Sequence, residues 1–234
     1  MLIVRTPNRI PLGGGGTDLP FYASKFGGSL ITAAINKYIY TTVHDTFANQ
    51  FILHYSEIET PSKVDEIKHP LIREAMKLAE LKKGVEITTM ADVPARSGLG
   101  SSGSFTVGLL NALHSYKRGI ISSKLLAEQA STIEMDILKE PVGKQDNYAA
   151  AYGGIIQLEI GKNGKVKVDP LNLTEETIKE LETNLMIFYT GITRHAGEVI
   201  GDQKKQAESE EDKLAELHQI KKIGLEIKKV LEKG

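Results

Sequence analysis

The sequence predicts an α+β fold. Three observations point to it: an N-terminal half dense in β-branched and aromatic runs, one strand–glycine loop–helix passage in the middle, and a C-terminal stretch of helical periodicity. Leu30 to Ile35 and Tyr38 to Val43 read as strands, and Phe51 to Tyr55 continues the β-rich opening. His69-Pro70 starts a helix, since proline is tolerated in a first turn, and Ile72, Ala75, Met76 and Ala79 share one face; the pattern ends near Lys83-Gly84. Val85 to Met90 alternates as a short strand and runs into a glycine loop, behind which Phe105 to Leu113 is apolar and helical. A further helix spans Ser123 to Lys139, capped by Ser122 or Ser123 and stopped by Pro141 and Gly143.

Ile155 to Ile160 and Lys165 to Val168 flank Asn163-Gly164, a hairpin signal. Thr174 caps a short helix, Leu185 to Thr190 reads as a buried strand, and the chain then turns helical. Leu214, Leu217, Ile220, Ile223, Ile227 and Leu231 mark the face of that last helix to be buried. The only soft boundary lies around Asp169 to Thr174, which divides the chain into residues 1–172 and 173–234.

Composition narrows the function. The 234 residues carry 29 Lys and Arg against 30 Asp and Glu, so no electrostatic footprint for nucleic acid or an anionic membrane is expected. With no cysteine, disulfides, thiolate metal sites and a cysteine nucleophile are excluded. The six histidines are scattered without the i, i+4 spacing that seats a metal on a helix. No apolar run approaches the ~18 residues of a membrane span and no basic, apolar leader opens the chain, so a cytoplasmic protein is expected.

Three stretches carry candidate chemistry. Pro94 to Ser104 (PARSGLGSSGS) leaves a strand and enters a helix; its unpaired amides at the positive end of a helix dipole suit a polyphosphate, and its serines add hydroxyls for phosphate or Mg²⁺. It matches neither the Walker spacing nor the dinucleotide one, and a tight turn with a serine cap is the plain alternative. Pro7 to Asp18 (PNRIPLGGGGTD) offers close backbone approach with Arg9 and Asp18; an Asp beside glycines accepts sugar hydroxyls or merely caps a turn. Glu134 and the segment Glu140 to Asn147 (EPVGKQDN) supply a helix-borne carboxylate that holds Mg²⁺ or faces solvent, and Asp146, which takes a hydroxyl proton or caps a helix.

Together these stretches resemble the GHMP kinase superfamily, and GGGGTDLP, GLGSSG, VGKQDNYAAAYGG and FYTGITR resemble its heptose 7-phosphate kinase branch, along residues 1 to about 205. The resemblance implies a ribosomal-protein-S5-like domain followed by a ferredoxin-like one. It implies ATP phosphates cradled by Pro94, Ser97, Gly98, Leu99, Gly100, Ser101, Ser102 and Gly103, and Mg²⁺ on Ser102 and Glu134. Asp146 would orient or deprotonate the acceptor hydroxyl with Arg9 beside it, and Gly15, Gly16, Thr17 and Asp18 would face the sugar. Where galactokinases carry a Glu-His pair this chain has Gly15-Gly16, leaving room for a larger sugar; a terminal phosphate on it would meet Lys144 or Arg194, with Arg5 a lesser candidate.

The implied activity is phosphorylation of the anomeric hydroxyl of D-glycero-D-manno-heptose 7-phosphate. The alternatives are a kinase for an unphosphorylated sugar such as fucose or galactose, and a binding homologue without turnover. The family's third glycine-rich stretch has no counterpart after Gly191. The second domain is therefore expected to be incomplete and completed by a second copy or another chain.

Overall fold

The computed structural model describes residues 1–47, 50–81, 83–192, 197, 200–201 and 211–234. Its strands are β1 (Leu2–Gly13), β2 (Gly28–Asp45), β3 (Ile52–His54), β4 (Ile58–Glu59), β5 (Val85–Ala91), β6 (Ile155–Ile160) and β7 (Val166–Pro170). Its helices are α1 (Pro20–Phe26), α2 (Pro70–Leu78), α3 (Ser101–Tyr116), α4 (Ser123–Ser131), α5 (Gln145–Tyr152), α6 (Glu175–Asn184) and α7 (Glu211–Leu231). The fold is α+β, as the sequence predicts.

One sheet runs in the order β4-β3-β5-β2-β6-β7, with β1 also paired to β2. β2 organises it. The two strands expected between Leu30 and Val43 are one 18-residue strand, because neither glycine nor proline interrupts the β-branched run at Asn36-Lys37. Its first part, Gly28 to Ala33, pairs antiparallel with β6; its second, Ile39 to Asp45, pairs with β5; β1 pairs with it over Ile31 to Ala34 and Tyr38 to Val43. The β1–β2 register shifts between Pro7 and Arg9 and again between Pro11 and Gly13. Such irregularities re-aim the local backbone, here on either side of Arg9 and at the entry to the four glycines.

α3 is the central helix, with Val107, Leu109, Leu110, Ala112 and Leu113 all buried. Gly108 brings it against β1, since a Cβ there would lie 3.2 Å from the Thr6 Cβ. The larger core gathers Val43, Leu53, Ile72, Met76, Ile87, Leu110, Leu126 and Ile133; a second cluster joins Leu30, Tyr148, Ile156 and Leu158.

Helix ends deviate from the periodic pattern for identifiable reasons. α2 stops at Leu78, short of Lys83-Gly84, because Glu80 turns left-handed at φ 50°. The Leu81 N–H then reaches the Met76 carbonyl and the Glu80 N–H reaches that of Lys77, which is a Schellman closure with Leu81 tucked in. The helix expected from Ser123 to Lys139 is α-helical only to Ser131 and continues as a π turn over Thr132–Ile137, where the Leu138 N–H bonds the Ile133 carbonyl. Ser122 is the cap of α4 and Thr174 that of α6.

Leu185 to Thr190 corrects the reading of a buried strand. It joins no ladder, and Met186, Phe188 and Tyr189 are 78, 77 and 61% exposed. A strand forms only where a neighbour takes its backbone groups, and no described element lies alongside. α7 is seated somewhat differently: Leu217 and Gly224 are buried and Leu214, Ile227 and Leu231 half-buried, with Gly224 against Gly13-Gly14, whereas Ile220 and Ile223 are exposed.

Candidate active site

The loop between β5 and α3 has its backbone turned by three left-handed residues, Arg96 (φ 62°), Gly98 (φ 81°) and Gly100 (φ 74°). β1 pins it. The Arg9 N–H and the Asn8 Nδ2 donate to the Leu99 carbonyl at 3.1 and 3.3 Å, and the Arg9 guanidinium donates to the Gly98 carbonyl at 2.8 Å. In a trans peptide the N–H opposes the C=O, so drawing these carbonyls toward β1 turns the Leu99 and Gly100 amides the other way. Gly100 then caps α3 without a side-chain acceptor, which leaves the helix's first-turn amides free for an anion. The Ser97 hydroxyl oxygen is buried without a partner among the described residues, a second unmet polar group in the same loop.

Asp146 enters from the first turn of α5. Arg9 grips one of its oxygens, Oδ1, with Nε and a terminal nitrogen, each at 2.6 Å. Oδ2 carries no hydrogen bond among the described residues. Gly100 and Gly103 make this approach possible: a Cβ on Gly100 would lie 3.1 Å from the Asp146 carboxyl carbon, and one on Gly103 would lie 2.6 Å from the Asp146 Cβ. The helix that opens at the glycine loop therefore touches the helix that carries the carboxylate, backbone against side chain.

Asp18 sits on the other side of Asp146, 6% exposed. Burial pushes its carboxyl above the usual range, the nearby Asp146 charge adds to the rise, and the Gln145 N–H, donating at 3.0 Å, opposes it. Gly143 is required here, since any Cβ would land on the Asp18 carboxylate. Gly14 (φ 78°) and Gly16 (φ 84°) shape the turn leading to Asp18, and Gly15 lies between them with its backbone accessible.

Two expected contacts come out differently. Thr17 is fully buried and its hydroxyl bonds the carbonyls of Gly14 and Ser29, so its side chain locks the turn. Lys144, expected to meet a terminal phosphate, reaches across to the Gly164 carbonyl at 2.7 Å and anchors the β6–β7 hairpin. Arg194 lies outside the described residues.

Glu134 lies on the π turn after α4, 3% exposed. Its Oε1 accepts from the Ser102 hydroxyl at 2.6 Å and from the Thr106 hydroxyl at 3.3 Å. Burial raises its carboxyl above the ordinary value; hydrogen bonds from Ser102 and Asn147 act against that. Ser101 and Pro94 complete the loop, Pro94 on its exposed outer side.

Among the described residues no three carboxylates or histidines cluster as a complete metal cage. One carboxylate beside one hydroxyl nevertheless fits Mg²⁺, which takes few protein oxygens and completes its shell with water and phosphate. Sequence reasoning missed Asn8, Thr106, Gly143 and Asn147. Thr106 was findable, being four residues beyond Ser102 on the same helical face; the other three are visible only once distant elements meet.

Residues 69–154 match the domain described as GHMP kinases N terminal domain. D-glycero-alpha-D-manno-heptose 7-phosphate kinase of Campylobacter jejuni is 31% identical over 97% of this chain and 70% of its own length. The chain belongs to the GHMP kinases. This GHMP kinase is also 28% identical to the galactokinase of Pyrococcus furiosus, over 88% of this chain and 58% of that protein. Its fold superimposes on the crystal structure of a D-glycero-D-manno-heptose 1-phosphate kinase from Bacteroides thetaiotaomicron with a TM-score of 0.84, at 26% identity, covering all of this chain and 74% of the other. It is thus a kinase, a phosphotransferase by class. No described helix is long and apolar enough to cross a membrane.

Proposed function

We propose that this GHMP kinase transfers the γ-phosphoryl group of ATP, with Mg²⁺, to the anomeric hydroxyl of D-glycero-D-manno-heptose 7-phosphate in the cytoplasm. The observation that carries the reading is Asp146, held by Arg9 through Oδ1 with Oδ2 unbonded among the described residues, between the open amino end of α3 and Asp18. The amides from Gly98 to Gly103 take the phosphates, and the Ser97 hydroxyl has an acceptor oxygen to meet. Ser102 and Glu134 hold the metal, which when bound neutralises developing charge on the phosphates. Asp18 accepts from sugar hydroxyls beside Gly15 and Gly16 and fixes the ring. Asp146 Oδ2 orients the acceptor hydroxyl and receives its proton as the new O–P bond forms and the bond to ADP breaks. Arg9 keeps the carboxylate aligned with the phosphate loop. Catalysis here is alignment and charge stabilisation, with no covalent intermediate on the protein.

The heptose phosphate is favoured by the likeness to the Campylobacter and Bacteroides kinases and by the small Gly15-Gly16 pair. One observation favours an unphosphorylated hexose instead: Lys144 is engaged by Gly164, away from the role of anion clamp. The two separate in a substrate panel. With ATP and Mg²⁺, heptose 7-phosphate is expected to yield the 1,7-bisphosphate by ³¹P NMR, at a kcat/KM at least about a hundredfold above that for galactose or fucose, a gap on the order of 3 kcal/mol. Equal turnover of the unphosphorylated sugars would overturn the heptose reading.

A further inference from the structure

α7 contains a glycine, Gly224, where alanine would make the helix more stable by about 1 kcal/mol. Its surroundings explain the choice. A Cβ on Gly224 would lie 2.9 Å from the Gly14 nitrogen, 3.0 Å from its Cα and 3.1 Å from the Gly13 carbonyl carbon. Reciprocally, a Cβ on Gly13 would meet the Gly224 Cα at 3.0 Å and the Ile227 Cδ1 at 2.7 Å. Two backbones therefore touch with no side chain between them. Gly14 cannot retreat, because on its far side a Cβ would already lie 2.8 Å from the Leu30 Cα of β2.

The same face of α7 holds the other end of this segment. Lys221 donates to the carbonyls of Phe26 and Gly27 at 3.0 and 2.8 Å, so it caps α1 from outside. His218 Nδ1 pairs with the Tyr22 hydroxyl at 2.7 Å, and its ring meets Phe26 edge-on at 4.7 Å. Between the two attachments, Gly13-Gly14 and Tyr22 to Gly27, lies Asp18. The residues that hold it are about two hundred positions further along the chain.

We infer that α7 is the clamp that sets the acceptor turn, and that Gly224 and Lys221 are positioning residues for sugar binding. The inference rests on the proposed role of Asp18 for its kinetic consequence only; the clamp itself is testable in the free protein. In Gly224→Ala the added methyl meets a Gly13-Gly14 backbone already backed by Leu30, so either the turn distorts or α7 lifts away from it, and the clamp is lost in both cases. The bonds that close the turn, Thr17 N–H to the Gly14 carbonyl, Leu19 N–H to the Gly16 carbonyl and Ser29 N–H to the Thr17 hydroxyl, report it. Their hydrogen exchange is expected to quicken about tenfold, while the amides of Arg9 and Ser104 at the phosphate loop are unaffected.

In turnover, the KM for heptose 7-phosphate should rise at least about tenfold with the ATP Kd unchanged, the pattern of a lost sugar contact at an intact nucleotide site. Glu226→Ala, on the exposed side of α7, should change neither. Should Gly224→Ala fail to fold, Lys221→Met removes the cap without adding bulk and is expected to quicken exchange at the same turn. Uniform acceleration across all protected amides, or an unaltered turn in whichever variant folds, overturns the clamp. Failure of the wild-type chain to phosphorylate the heptose would overturn the functional reading and leave the exchange result standing.

Discussion

Asp146 has one carboxylate oxygen committed to Arg9 and one without a hydrogen bond among the described residues, and this asymmetry decides what substitution does to it. Asp146→Asn keeps the shape and loses the acceptor for the hydroxyl proton. Turnover is expected to fall at least about a thousandfold, with ATP binding by calorimetry changed little, since general-base assistance and alignment are each worth orders of magnitude. Unaltered turnover would remove Asp146 from the chemistry. Asp18 poses a different problem. Burial raises its pKa, so in the window above the ordinary carboxylate range the native state retains a proton that the unfolded chain has released. Stability at this site therefore declines as pH rises through that window, the reverse of a salt-bridged carboxylate. Asp18→Asn is expected to raise the melting temperature of the free protein at pH 7 to 8 and to lose that advantage below about pH 4, near the unfolded carboxylate's own pKa. Sugar binding should be lost in the same variant. A gain in melting temperature that did not depend on pH would show that desolvation of the charge is not the cause.

At the scale of elements, the glycine loop works because α3 and α5 approach more closely than side chains would allow. Gly103 is the contact: a Cβ there would lie 2.6 Å from both the Asn147 Oδ1 and the Asp146 Cβ. Gly103→Ala is expected to cost about 1–3 kcal/mol by overpacking in urea unfolding and to lower kcat about a hundredfold by shifting Asp146. A stable, fully active Gly103→Ala would show that the helices have slack. The motif stretches were readable in the sequence because a loop that exposes amides needs glycine and serine locally, and Asp146, Arg9 and Ser102 sit in such stretches. Periodicity also gave the hairpin and most helices. It could not give the π turn that carries Glu134, since an extra residue in a helix leaves no signature in composition. Nor could it reveal that Lys144 points at a hairpin or that Asn8 braces Leu99. Those depend on which distant elements become neighbours. Leu185 to Thr190 misled for a related reason: its apolar content suits a strand, but a strand is a property of a pair.

For the whole molecule the consequence of that unpaired run is physical. Leu185 to Thr190 is six residues without charge, glycine or proline, rich in β-prone side chains, and largely exposed, with α6 before it burying no residue. A segment of this kind offers open backbone groups and apolar surface together, and a net charge of -1 supplies little repulsion between molecules. The chain spans 70% of the Campylobacter kinase and 74% of the Bacteroides one, so the relatives carry further residues that this chain does not match. The expectation is association above about 10 μM, seen as a concentration-dependent sedimentation coefficient. Phe188→Lys, at one of the most exposed positions of the run, should suppress it by placing like charges opposite one another at any edge-to-edge contact. Because that side chain is largely exposed, unfolding free energy should change by less than about 0.5 kcal/mol. Activity per chain should stay the same. Sedimentation that is identical for the parent and the Lys variant across the concentration range would show that the exposed run is not the surface through which these molecules meet.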